Sequence, residues 1–131
     1  MITVQNVTKK FGNVVAVNGI SFSVEKGQTM GFLGPNGAGK STTMKMISCF
    51  FPPTSGSISV AGHDVIKGSL DVRRRIGYMP ENVPLYPEMR VGEYLNFRSK
   101  LRGLSGGDRR KKLGEAIGRC GLESVLRKQI G

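Results

Sequence analysis

The sequence predicts an α/β fold: a β-rich front, a glycine-rich loop set between an apolar strand and a helix, and a basic, helical back. Three observations carry this reading. Ile2, Val4 and Val7 nearly alternate, and Phe22 and Val24 alternate with Ser21 and Ser23, as in half-buried strands. Gly34-Pro35-Asn36-Gly37-Ala38-Gly39-Lys40-Ser41 separates an apolar run from a helical pattern. Toward the C-terminus, Leu113, Ala116, Ile117 and Cys120 recur at i, i+3, i+4 and i+7, one face of a helix.

The elements follow in order. Val14 to Val17 is a short β-branched run, and Gly12-Asn13 and Asn18-Gly19 read as tight antiparallel connections. Glu25 to Gln28 is a polar turn leading into the strand Thr29-Met30-Gly31-Phe32-Leu33. After the glycine-rich loop, Met44, Ile47, Ser48 and Phe51 share one helical face, and Pro52-Pro53 stops that helix. Ser57 to Ala61 returns to strand, Gly62-His63-Asp64 turns, and Val65-Ile66 extends the pairing. Ile76-Gly77-Tyr78-Met79 reads as a buried strand and Pro80 to Pro87 as a loop. Val91, Tyr94, Leu95 and Leu101 give a further helix its apolar face.

Composition narrows the function classes. With 131 residues, 38% hydrophobic and 22% charged, the chain suits one domain with a core and excludes disordered and collagen-like classes. Its formal net charge of +11 calls for an anionic partner: nucleic acid, an anionic membrane surface, or a phosphorylated small molecule. Ten Lys or Arg against Asp108, Glu115 and Glu123 put +7 of that charge from Arg98 onward. No apolar run approaches a transmembrane length, and the N-terminus has no secretion-signal pattern. Cys49 and Cys120 stand outside any metal-ligand spacing and fit a reduced, cytosolic chain.

The loop is the strongest signal. It fills every fixed position of G-x-x-x-x-G-K-[ST], with an apolar strand before it and a helix after it, the context that motif requires. Glycines at 34, 37 and 39 let backbone N–H groups turn inward with no Cβ in the way of a phosphate. The helix that follows offers its free N–H groups and positive dipole end to the same anion. Lys40 supplies a point charge for the terminal phosphates, and Ser41 a hydroxyl for Mg²⁺. The expectation is a P-loop NTPase core that binds a nucleoside triphosphate.

Gly34-Pro-Asn-Gly-Ala-Gly-Lys-Ser-Thr-Thr43, with Pro53-Thr-Ser-Gly-Ser-Ile-Ser-Val-Ala-Gly62 behind it, resembles the ATP-binding subunit of an ABC transporter. The resemblance extends to Val7-Thr-Lys-Lys-Phe-Gly12 and Ile76-Gly-Tyr-Met-Pro-Glu81, and covers about the N-terminal half of the family's domain. It implies an ATP-binding core over 1–89, with an antiparallel β-subdomain, and an incomplete α-helical subdomain over 90–131. It implies ATP and Mg²⁺ as cofactors, held by Gly34 to Thr42 together with Phe11 and Val17. Phe11 falls where the family places an aromatic that stacks on adenine; the other reading is a core Phe at a strand end. Glu81 falls where most members carry a Gln that reaches Mg²⁺ and the attacking water. Lys40 and Glu81 are thus the catalytic candidates, and Ser41 and Glu81 the metal ligands. A carboxylate at 81 can ligate Mg²⁺ but adds negative charge beside the triphosphate. A solvated loop carboxylate is the alternative there.

Leu104-Ser105-Gly106-Gly107 spells the family's signature peptide, yet Ser105 follows Lys40 by only 65 residues and no hydrophobic strand ending in Asp-Glu comes after it. We read it as an interhelical turn, with Ser105 or Asp108 capping the next helix. Arg109 to Lys112 reads as a solvated helix face, with contact to anionic lipid head groups as the alternative. His63 reads as exposed. Without the Asp-Glu strand, the expectation is an N-terminal portion of the domain that contacts ATP without turning it over alone. An exposed sheet edge where that strand would lie predicts self-association. The implied partners are a membrane-spanning transporter subunit and a second ATP-binding subunit, with the chain peripheral on the inner face of the cell membrane and no nucleic acid expected. The rival is a soluble, non-transport ABC ATPase acting on nucleic acid or ribosomes.

Overall fold

The computed structural model describes residues Met1–Gly131, which form two compact units, Met1–Tyr78 and Met79–Gly131.

The first unit is built on an antiparallel sheet of β1 (Ile2–Phe11), β2 (Val14–Val24), β3 (Ser55–Val60) and β4 (His63–Asp64) in the order β2-β1-β3-β4. The two-residue turn Gly12-Asn13 closes the β1–β2 hairpin, with Phe11 opposite Val14 and Gly12 at a φ of 56°. Asn18-Gly19, expected as a second connection, lies instead within β2. The register slips there between the pairs Val7–Ile20 and Lys9–Val17, and Gly19 takes a φ of 60°. The pair absorbs extra residues as a bulge, and the Thr8 hydroxyl accepts the Gly19 N–H at 3.0 Å. β1 also slips against β3, between Gln5–Ser57 and Thr8–Ser55. The expected turn at 62–64 sits one residue earlier: Ala61 and Gly62, with φ of 50° and 81°, turn the chain, and His63 and Asp64 pair with Val60 and Ser59. Asp64 then accepts the N–H groups of Ile66 at 2.8 Å and Lys67 at 2.9 Å, and the carboxyl lies below its usual range because the Lys67 and Ile66 amides stabilise the anion.

One face of the sheet buries Val4, Val7, Val17, Ile58 and Val60 beneath α1 (Lys40–Ile47), with Val65 and Val72 completing the cluster. The face of α1 that reaches it is Thr43, Met46 and Ile47; of the expected stripe Met44, Ile47, Ser48 and Phe51, Ile47 is buried and Phe51 packs against the cluster from beyond the helix, while Met44 stays 39% exposed. Nor do the prolines end this helix. Cys49 at a φ of 59° does, with the Phe50 N–H on the Lys45 carbonyl at 2.8 Å and the Cys49 N–H on that of Met46 at 3.0 Å. A short helix, α2 (Ser69–Arg75), was not legible in the sequence because only Val72 of its seven residues is buried.

Two expected strands do not form. Thr29–Leu33 and Ile76–Met79 have no strand pairing; Leu33 is 93% and Met79 87% exposed. A strand exists through the ladder of a neighbour, and neither run has one: Phe32 meets Phe22 of β2 through its ring, at 5.4 Å between centroids, without backbone pairing.

The second unit holds α3 (Val91–Leu101), α4 (Gly106–Cys120) and a single 3-10 turn at Glu123–Val125. The last residues run back along 87–92: Val91 and Gly92 donate to Lys128 and Leu126, and Ile130 and Gly131 donate to Met89 and Pro87. The Glu93 carboxylate accepts the Arg90 N–H at 2.9 Å and closes the start of α3. The link between helices is a turn ending at Ser105, as expected, but Gly106 and Gly107 already belong to α4. Ser105 occupies the N-cap position without a side-chain bond, and Asp108 lies in the first turn. Bare glycines at a helix start leave the amides to water.

Candidate phosphate-binding loop

The loop is fixed from beneath. Gly39 has a φ of 85° and precedes α1; a Cβ on it would stand 2.4 Å from the Ala16 carbonyl oxygen and 2.9 Å from Val17 Cγ2. Only glycine permits both that backbone conformation and that approach to β2. Thr43, 1% exposed, donates its hydroxyl to the Gly39 carbonyl at 3.0 Å, and its N–H bonds the same oxygen at 2.8 Å. Thus β2 and the first turn of α1 hold the end of the loop between them. Gly37, at a φ of 83°, has open space around its missing Cβ, so its requirement is conformational only. The Ala38 N–H closes a turn on the Pro35 carbonyl at 3.2 Å.

The polar groups above this floor are free. The N–H groups of Lys40, Ser41 and Thr42 have no acceptor within the chain, and no acidic residue occupies the first turn of α1. Three parallel donors at the positive end of a helix form an anion site. The Lys40 ammonium folds back onto the loop's own carbonyls, at 2.6 Å from Gly34 O and 2.7 Å from Pro35 O. Ser41 is exposed and its hydroxyl bonds nothing. No group of three or more His, Cys, Asp or Glu gathers anywhere in the chain to hold a metal by itself. The oxygen that Ser41 offers fits Mg²⁺ bound chiefly by phosphates and water.

A profile of the ABC transporter family matches residues 17–131. The chain is also 40% identical over 130 residues to the linearmycin resistance ATP-binding protein LnrL of Bacillus subtilis, covering 99% of this chain and 42% of that protein. The chain belongs to the ABC transporter family.

Solved structures carry the family likeness into three dimensions. The ATP-binding subunit of an ABC transporter superposes with a TM-score of 0.84 at 29% identity, over 98% of this chain and 54% of that one. A dimeric, post-hydrolysis state of the ATP-binding cassette MJ0796, bound to ADP and Pi, gives a TM-score of 0.80 at 26% identity, over 99% of this chain and 62% of that one. This chain therefore spans less than half the length of its curated relative, and the α/β P-loop NTPase fold expected of it is the fold of these cassettes.

In this family member, Gly34 to Thr42 form one continuous loop and helix start. Phe11 stands at the end of β1, 48% exposed, with its ring edge-on to Phe51 at 5.4 Å between centroids. It is not a core residue. Val17 is: at 5% exposure it lies beneath Gly39 and supports the loop. Glu81 is exposed and belongs to the second unit. Thr43 and the Ala16 backbone escaped the sequence reading. Thr43 could have been found, being three residues from Lys40 on the inner helical face, whereas Ala16 has no local signal because its role is a carbonyl position.

Proposed function

We propose that this chain binds Mg-ATP through Gly34 to Thr42 and serves as the ATP-binding subunit of a membrane transporter. The observation that carries this is the row of unsatisfied amides at Lys40, Ser41 and Thr42 above a floor that admits only glycine. On binding, Lys40 exchanges the Gly34 and Pro35 carbonyls for phosphate oxygens, which gain more from an ammonium than a neutral acceptor does. The Lys40, Ser41 and Thr42 amides would hold phosphate oxygens at the positive end of α1. Ser41 contributes a ligand to Mg²⁺, which would offset the charge of the phosphates. Glu81 is proposed as a further Mg²⁺ ligand, and Phe11 as the surface on which adenine stacks.

The first unit is suited to binding more than to turnover. Its acids are Glu25, Asp64 and Asp71. Asp64 is engaged by two backbone amides, and Asp71 lies 3.6 Å from Arg75 and 4.0 Å from Arg74. Neither Asp64 nor Asp71 is therefore free to act as a base for water, which leaves that task to another group. A membrane-spanning subunit and a second ATP-binding subunit are the proposed partners, supported by the likeness to a solved ATP-binding subunit of an ABC transporter and by the dimeric state of the solved cassette. No helix is long and apolar enough to cross a membrane, and a peripheral place on the inner membrane face follows from the proposed partnership.

Lys40→Ala tests the reading. Losing a charge-assisted contact of about 1.5–3 kcal/mol should weaken Mg-ATP binding by roughly ten- to a hundred-fold in calorimetry. The fold should hold, because Lys40 bonds only loop carbonyls. Unchanged affinity would overturn the assignment.

A further inference from the structure

The hairpin end that carries Phe11 is tied to the segment following α1 by a set of contacts that the phosphate site does not require. The Lys9 ammonium lies over two aromatic rings at once, 5.1 Å from the centroid of Phe11 and 4.8 Å from that of Phe51. It is anchored there by donating to the Pro52 carbonyl at 2.7 Å. The backbone is clipped on either side: the Lys10 N–H donates to Thr54 Oγ1 at 3.0 Å, and the Thr54 N–H to the Thr8 carbonyl at 2.9 Å. Lys9 has no acidic partner in the chain, whose ion pairs are those of Asp71 with Arg74 and Arg75. Its charge is satisfied by one carbonyl and two π-faces.

We propose that Lys9 is a positioning residue for the nucleobase: its tethered ammonium, with Phe51 behind, presets the Phe11 ring for a flat aromatic base. The inference rests on the reading of Phe11 as the base-stacking residue. A half-exposed Phe beside a two-residue turn would otherwise sample several rotamers and lose that freedom on binding. An ammonium over the ring, itself fixed by Pro52, removes this cost beforehand. It also occupies one side of the ring, leaving the remaining exposed surface to the base. Its effect is felt only by ligands that carry an aromatic base.

The experiment compares Mg-ATP with Mg-tripolyphosphate, which has the phosphates and no base, by calorimetry on the purified protein, with a melting curve for each variant. Lys9→Met keeps the length and loses the charge. It should weaken ATP on the order of three- to ten-fold and leave tripolyphosphate unchanged. Lys9→Arg, which keeps a cation over the rings, should restore ATP binding. Equal weakening of both ligands, or none of either, overturns the role of Lys9. Phe11→Ala separates the two layers of the argument. If it abolishes the preference for ATP over tripolyphosphate while Lys9→Met does not, the stacking reading stands and Lys9 falls. If the unaltered protein shows no such preference, the stacking reading itself falls, and the inference with it.

Discussion

The two units differ in what holds them together. All nine buried apolar side chains, from Val4 to Val72, belong to the first unit; in the second, only Ser99 is buried, at 7% exposure. The contrast is sharpest between two helices. α1 has eight residues and a weak apolar pattern, yet buries Thr43, Met46 and Ile47 against the sheet. α4 has fifteen residues and the clearer apolar face, yet buries none. A periodic face is an offer of burial, and the area removed from water depends on what the fold places opposite. The second unit is instead held by backbone bonds: the Glu93 cap, the strand-like return along 87–92, and glycine-ended helices at Gly103 and Gly121.

The largest expected effect sharpens that contrast. Ile58, fully buried, should cost about 2–5 kcal/mol when changed to Ala, whereas Ile117→Ala on α4 should cost under about 1 kcal/mol. Denaturant titration would read both, and hydrogen exchange should show the second unit opening first. Comparable losses at the two sites would break the comparison.

The loop offers the next test, between two glycines of like conformation. Gly39→Ala meets the Ala16 carbonyl and should abolish nucleotide binding with a loss of about 2 kcal/mol or more in stability. Gly37→Ala meets open space and should cost about 1 kcal/mol. Melting temperatures and ATP titrations of the pair distinguish contact from conformation.

Helix ends give a smaller effect. α3 and α4 close on left-handed glycines, whereas α1 closes on Cys49. Cys49→Gly should stabilise by up to about 1 kcal/mol, less whatever packing the thiol contributes, and Gly121→Ala should destabilise by a similar amount. The Cys49 thiol is pushed up by burial, outweighing the opposing pull of Arg73.

The smallest effect is in acid. The Asp64 carboxyl lies below its ordinary value, so its contribution is full above the unfolded pKa of about 3.9 and disappears as pH falls through the lower folded value. Asp64→Asn should lower the melting temperature slightly near neutrality, where the carboxylate's contribution is full, and flatten its fall in that acid window.

Local chemistry made the phosphate loop readable: glycine where φ is positive, lysine and serine at fixed offsets, a helix pattern behind. The β1–β2 hairpin was readable for the same reason, through Gly12-Asn13. Asn18-Gly19 misled because a turn and a bulge ask the same φ of glycine, and only the pairing of both flanks with β1 separates them. Thr29–Leu33 misled because apolar composition signals burial, while strand geometry needs a partner ladder.

The sequence carried a resemblance to the family, and its residue types and spacing gave the anion-binding chemistry of Gly34 to Thr42 and the polarity of charge toward the C-terminus, properties carried by neighbours in the chain. Tertiary structure decided which face of α1 is buried, that Val17 and Ala16 underlie Gly39, and that Lys9 bridges Phe11 and Phe51. The contacts of Gly39 with Val17 and Ala16, and of Lys9 with Phe51, span 22 to 42 positions of sequence, and long-range contacts are chosen by the packing of the whole sheet against its helix, which no local pattern encodes.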